Sequence, residues 1–236
     1  MIKVQSSKLS GNFIYLFRHG QTHFNFHKRF TGWKDSDWTA TGKRNAKKTA
    51  QKLKNKRIDV AFHTKLLRSK ETLREVLKYH PECFLTLRDD RIIERCYGDL
   101  QGHAHSTFIK SHGQALFDKY HRAYDFPPPH GESVKMVEKR ALSFLHELLT
   151  FVKKYKVNVA ISAHGNSMRP LRRHFEKLSV KEMMKLEMPY DDHFEYSIPV
   201  SGKASRKPKR ADWKSVRQPD GVHLASDRHN IFRKYY

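Results

Sequence analysis

An α/β fold with a mainly parallel sheet is predicted by three observations. First, four short and continuous apolar runs punctuate the 236-residue chain, and unbroken runs of this kind suit strands covered on both faces. Second, segments with apolar residues at three- and four-residue steps lie between them, as helices require. Third, the clearest helix runs straight into the last of these strands, and strands alternating with helices build parallel sheets. The length suits one large domain or two small ones.

The elements follow in chain order. Phe13 to Phe17 is the first strand, and it leads directly into Arg18-His19-Gly20. Thr41 is the expected cap of a helix carrying Ala46, Ala50 and Leu53 on one face. A second strand covers Ile58 to Phe62, a helix covers Lys70 to Tyr79, and a third strand covers Cys83 to Leu87. Residues 100–131 read as a less regular, partly helical insertion closed by the stiff turn "FPPPHGE". From Ser133 to Tyr155, Val134, Val137, Ala141, Phe144, Leu145, Leu148 and Val152 form one apolar stripe. The strand Val157 to Ser162 follows and ends on "AHGNS". From Ser201 onward Gly, Pro and basic residues replace apolar ones, which predicts a mobile tail or surface arm, and the terminal "IFRKYY" reads as a cluster that docks back on the body. The expected division is a catalytic domain over 1–200 and a basic tail over 201–236.

Composition narrows the setting. Cys83 and Cys96 are the two cysteines, so no disulfide framework or Cys-x-x-Cys metal pair is encoded. The N-terminus is too polar for a signal segment and no apolar run spans a bilayer, so a soluble cytoplasmic protein with no membrane partner is expected. The formal charge is +23, with an isoelectric point near 10.0. Such a field attracts phosphorylated small molecules or polyanions, although basic residues spread over a whole chain are mostly solvated surface.

Two His-Gly pairs occupy equivalent places, each at the end of a strand-like run. Ligands of open α/β sheets bind just beyond the carboxyl ends of strands. If the two strands are neighbours, His19 and His164 share one pocket. A neutral imidazole is a competent nucleophile near neutral pH, and the Arg18 guanidinium beside it matches phosphate oxygens. Arg68 after the second strand adds another phosphate clamp, Glu94 a proton donor or acceptor, and His164 a further donor. Together they supply what phosphoryl transfer needs without a metal.

The blocks "RHGQTHFN", "FTGWKDSDWTATG", "ERCYGDLQG", "YHRAYDFPPP", "GES" and "SAHGNSMRPL" occur in that order over roughly residues 12 to 200. In this set the chain resembles the histidine phosphatase superfamily, and within it the 2,3-bisphosphoglycerate-dependent phosphoglycerate mutases. The resemblance implies a three-layer sandwich with helices on both faces of a mostly parallel sheet. It implies that His19 becomes phosphorylated, and that Arg18, Arg68 and His164 hold the transferring group with Asn25 and Gly165 nearby. Glu94 would move a proton to and from the substrate hydroxyl. Thr31, Gly32, Arg95, Tyr97, Arg122 and Asn166 would line the substrate site. It also implies 2,3-bisphosphoglycerate as phosphoryl primer, no metal, a small phosphorylated substrate, a homo-oligomer, and a tail that closes over the site as a basic lid.

The chain departs from the family pattern at two positions. His105 stands where the family generally has lysine, and His121-Arg122 where it has two arginines. Both positions contribute positive charge to the substrate's acid end. Histidine does so only when protonated, and two anionic ligand groups favour that form. Weaker binding as pH rises through neutrality is therefore expected. His103 and His105 form a His-x-His pair, but loop histidines in a chain with 16 of them seldom ligate metal. Trp33 and Trp38 read as packing residues rather than a base-stacking platform, and "SRKPKR" as a solvated run. Three functions stay open: a phosphoglycerate mutase in glycolysis and gluconeogenesis, a phosphatase acting on another phosphorylated substrate, and a polyanion-binding protein on an enzyme scaffold. Relative rates of mutase turnover and phosphate release separate the first two. A steep salt dependence of nucleic-acid affinity would mark the third.

Overall fold

The computed structural model describes residues 12–214. Five strands form one sheet: β1 (Asn12–Arg18), β2 (Val60–His63), β3 (Leu85–Arg88), β4 (Val159–Ala163) and β5 (His193–Ile198), in the order β3-β2-β4-β1-β5. β1, β2, β3 and β4 run parallel, and β5 is antiparallel to β1. The helices are α1 (His23–Phe26), α2 (Ala40–Leu53), α3 (Leu67–Leu77), α4 (His105–His112), α5 (Gln114–Arg122), α6 (Val134–Tyr155), α7 (Gly165–Glu176) and α8 (Val180–Lys185).

Alternation along the strands divides the core into two layers. Ile14, Leu16, Val60, Phe62, Val159 and Ile161 face α6 and α7, where Phe144, Leu145, Leu148 and Leu171 meet them. Tyr15, Phe17, Ala61 and Ala160 face the other way, onto Ala50 and Leu53 of α2 and Leu73 and Val76 of α3. This is the three-layer sandwich expected, and every residue of the predicted α6 stripe is buried. Ser133 caps that helix by accepting from Met136 N–H. Among the described residues no helix is long and apolar enough to cross a membrane.

Two local readings need correction, and the course of part of the tail can be added. The cap of α2 is Thr39, whose hydroxyl accepts from Gly42 N–H, whereas Thr41 lies inside the first turn and bonds Arg44. Two threonines two residues apart carry the same capping signal, and only packing chooses between them. β5 has no counterpart among the expected strands. As an edge strand it is half exposed and polar, with Glu195 paired to Lys56, so it lacks the apolar run that marks the others.

Of the tail, residues 201–214 are described. They lie along the β3 edge of the sheet, and the rest of the expected lid lies outside the described residues. Trp213 is 4% exposed and packs against Phe62, Phe144 and Phe151, with ring centroids 4.7, 5.6 and 5.4 Å away. Its indole N–H donates to Asp89 Oδ2 at 3.1 Å. Arg210 donates to the carbonyl of Thr86 in β3, and the Lys207 ammonium sits 4.0 Å from the ring centre of Phe84. The expected "IFRKYY" cluster lies outside the described residues.

Candidate active site

β1 and β4 are adjacent and in register, with Phe17 opposite Ser162 and Arg18 opposite Ala163. His19 N–H donates to the Ala163 carbonyl at 3.2 Å, which closes the pair of strand ends. The two histidines that follow therefore meet, their ring centroids 5.0 Å apart. Gly20 lies where a Cβ would come 2.4 Å from the Gly42 carbonyl, so the first turn of α2 packs directly on the His19 loop.

His19 is buried. Its Nδ1 is 2.8 Å from the Gly20 carbonyl, so Nδ1 carries the proton and Nε2 keeps its lone pair. Burial first, then the Arg68 and Arg18 guanidiniums, hold its pKa well below the usual histidine value. The neutral ring thus keeps Nε2 unprotonated at any pH near neutrality. Arg68 Nε donates to that nitrogen at 3.3 Å. The rest of the Arg68 fork is committed to the carbonyls of Gly32 and Lys34 and to Asp35 Oδ1, at 2.7, 2.9 and 3.0 Å. Gly32 offers that carbonyl from a left-handed turn, φ +55°.

Arg18 lies across the Tyr190 ring at 3.8 Å and donates through Nη1 to the Met188 carbonyl. Its Nε is buried without a partner among the described residues. His164 is fully buried, its Nε2 2.9 Å from Thr64 Oγ1. Thr64 Oγ1 also accepts from Leu66 N–H at 3.3 Å, and where its own proton goes to His164 Nε2, the His164 proton sits on Nδ1. That Nδ1 also lacks a partner among the described residues. Burial, followed by Arg68 and His19, keeps His164 neutral as well.

Glu94 Oε1 accepts three hydrogen bonds, from Arg95 N–H at 2.8 Å and from the backbone and side chain of Asn166 at 3.2 and 3.1 Å. Its other oxygen is left for a substrate proton. Ligand atoms of His19, Glu94 and His164 lie within 4.8 Å of one another. With two guanidiniums alongside, that cluster suits an anion rather than a metal cation.

These groups lie at a cavity of ≈ 760 Å³. It is lined by Arg18, His19, Asn25, Thr31, Gly32, Arg68, Glu94, Tyr97, His105, His121, Arg122, Gly165 and Asn166, as anticipated. Asn25 closes a capping box with Thr22 at the start of α1 and reaches Thr31 Oγ1 through Nδ2. Tyr97 is held neutral by burial. Two anticipated residues are not in the lining: His164, which is fully buried behind His19, and Arg95, which is fully buried and donates to the carbonyls of Glu132, Tyr120, His121 and Phe126. Trp33 is a packing residue as expected, and its indole donates to the Glu94 carbonyl at 2.6 Å.

His105 and His121 line the cavity but do not supply charge. Their rings are 5.2 Å apart, among Phe30 and Phe117. For His105, burial and then Lys28 lower the pKa to about 4. For His121, burial comes first, followed by His105, Arg95 and Arg122, and the result is also about 4. Among the described residues no carboxylate stands near enough to favour the imidazolium, so in the unliganded protein the expected cationic pair is a neutral wall. Positive charge comes instead from side chains that the sequence pattern does not single out. These are Lys28 and Arg29 beside α1, Arg169 on α7, and Lys181 and Lys185 one turn apart on α8. The Ser179–Glu182 capping box at the start of α8 is a legible signal for that helix. Eight Lys or Arg residues line the cavity against Glu94 and Glu187, a strong bias towards anionic ligands.

Comparison with known proteins agrees with this geometry. The model of the histidine phosphatase superfamily (branch 1) matches residues 14–199. A 2,3-bisphosphoglycerate-dependent phosphoglycerate mutase of Nitrobacter winogradskyi is 38% identical over 184 residues, covering 76% of this chain and 88% of that protein. A phosphoglycerate mutase of Schizosaccharomyces pombe is 32% identical over 201 residues, covering 84% and 95%. Among solved structures, a mycobacterial hydrolase superposes with a TM-score of 0.70 at 23% identity, covering 79% of this chain and 92% of that one. A mycobacterial glucosyl-3-phosphoglycerate phosphatase does so with 0.66 at 21% identity, covering 82% and 100%. The superpositions speak for the fold. The match over residues 14–199, which takes in both His-Gly strand ends and Glu94, places the chain in the histidine phosphatase superfamily.

Proposed function

We propose that the chain is a phosphoglycerate mutase that interconverts 3-phosphoglycerate and 2-phosphoglycerate through phospho-His19. The observation that carries the reading is a neutral His19, its proton on Nδ1 and its Nε2 lone pair facing the buried Arg68 guanidinium, with Arg18 alongside and Glu94 within reach. Relatives that carry the mutase name and align over most of both chains support the substrate.

The chemistry follows from the residues. Nε2 attacks phosphorus, the N–P bond forms and the P–O bond to the leaving oxygen breaks. Arg18, Arg68 and the Nδ1–H of His164 take up charge on the three transferring oxygens. Glu94 gives its proton to the leaving oxygen and recovers one from the hydroxyl that next attacks. Delivery to one substrate hydroxyl and recovery from its neighbour exchanges the two isomers. The unpartnered Arg18 Nε and His164 Nδ1 beside His19, with the cationic lining, fit a doubly phosphorylated primer. When bound, 2,3-bisphosphoglycerate would supply the phosphoryl group that first charges His19.

A phosphatase of the same superfamily is the second reading, and the neutral His105–His121 wall favours it, because these two positions add no charge of their own for a carboxylate. Mutase turnover measured with and without 2,3-bisphosphoglycerate, beside phosphate release from the same preparation, decides between them. Intact-mass measurement should show an acid-labile phosphoenzyme that His19→Ala abolishes together with turnover. Survival of either in that variant refutes the assignment.

A further inference from the structure

The stretch Gly131-Glu132-Ser133 has no part in the chemistry above, yet Glu132 is fully buried. Gly131 lies so close to the chain at 96–98 that a Cβ would sit 2.8 Å from the Cys96 carbonyl. Glu132 accepts from Arg140 Nε through Oε1 at 2.8 Å, and through Oε2 from Arg140 Nη2 at 2.9 Å and Cys96 N–H at 2.8 Å. Arg140 spends its remaining donors on three carbonyls of one loop, those of Arg91 and Ile93 at 2.8 Å and of Glu94 at 3.0 Å. All five N–H groups of this guanidinium are thus committed, three of them to the backbone that presents Glu94.

We infer that Arg140 and Glu132 are positioning residues for proton transfer at Glu94. The buried pair fixes the backbone of 91–96, and from it the Glu94 carboxyl, without touching the phosphoryl group. A flat fork with five donors can hold three carbonyls and a carboxylate together, and an ammonium cannot. The inference rests on Glu94 being the acid/base of the proposed reaction.

A leaving-group comparison tests it. An alkoxide leaving from 2,3-bisphosphoglycerate needs the proton of Glu94, whereas a nitrophenolate leaves unprotonated. The test variant of the full chain is Glu132→Gln with Arg140→Met, which strands no buried charge and keeps an acceptor for Cys96 N–H. Phosphoenzyme formation from p-nitrophenyl phosphate should stay within about threefold of wild type, while that from 2,3-bisphosphoglycerate falls by roughly 100-fold, the scale of lost general acid catalysis. On phosphoglycerate the loss should fall on kcat, with KM within about twofold. Equal losses on both substrates, no loss on either, or a change confined to KM would overturn the inference. Glu94→Gln serves as the reference. If it discriminates between the leaving groups and the double variant does not, the inference fails alone. If Glu94→Gln itself does not discriminate, the acid/base assignment fails and takes the inference with it.

Discussion

Replacing Trp213 with alanine distinguishes a docked arm from a lid. The indole is almost wholly buried against Phe62, Phe144 and Phe151. Removing a buried aromatic of this size costs about 3–5 kcal/mol through lost transfer energy and the cavity left behind. Loss of the indole N–H adds about 1 kcal/mol at most, because Asp89 keeps both oxygens on Arg91. For a chain of this length each kcal/mol moves the melting temperature by about 2–4 °C, so a total near 4 kcal/mol predicts a fall of roughly 10–15 °C. The assay is thermal unfolding followed by circular dichroism, paired with turnover at 25 °C. No residue from 201 to 214 lines the cavity, so turnover of the folded variant should change by less than about threefold. Trp213→Phe, which keeps most of the packing, should recover more than half of the lost stability. A shift below about 3 °C would mean that the arm does not hold Trp213 in the core. A large loss of turnover at an unchanged melting temperature would restore the lid.

Other outcomes concern the histidines and the loop under Arg68. With His105 and His121 near pKa 4, KM for phosphoglycerate should show no inflection from them between pH 6 and 8, and an inflection removed by His121→Asn would contradict their neutrality. Restoring cations with His105→Lys and His121→Arg should lower KM for carboxylate-bearing substrates by about tenfold, the equivalent of one more ion pair near 1.4 kcal/mol. His19, His164, His105 and His121 all titrate below the unfolded value of about 6.5, so between those values the unfolded chain binds more protons. Their contribution is complete above pH 6.5 and is lost as pH falls towards 4, so the urea midpoint should drop steadily from pH 7 to pH 5. A constant midpoint would refute this. Gly32→Ala would place a Cβ 2.1 Å from Gln101 Oε1 in a left-handed turn, so it should cost about 1–3 kcal/mol and lower kcat by displacing the carbonyl that holds Arg68. Unchanged stability in a urea melt would show that the turn tolerates a side chain.

The features legible in the sequence share a cause. Apolar runs in β1, β2 and β4 and the stripe of α6 are local periodicities, and burial follows them directly. The chemistry of His19, Arg18, Arg68, Glu94 and His164 is set by residue type and by position after a strand, which the parallel register of β1 and β4 turns into proximity. The errors also share a cause. Whether His105 and His121 carry charge depends on Phe30, Phe117 and the lack of a nearby carboxylate among the described residues, and the sequence does not show which side chains will surround them. Arg95 reads as a ligand-binding arginine, but four backbone carbonyls claim it. The tail reads as solvated because its composition is basic, yet a single Trp213 has a cavity to fill between β2 and α6. By itself the sequence determined the element pattern and the candidate nucleophile, because both are properties of short segments. Only the tertiary structure decided charge states, the cationic rim and the course of the arm, because desolvation and Coulomb interactions are summed over neighbours that the fold alone brings together.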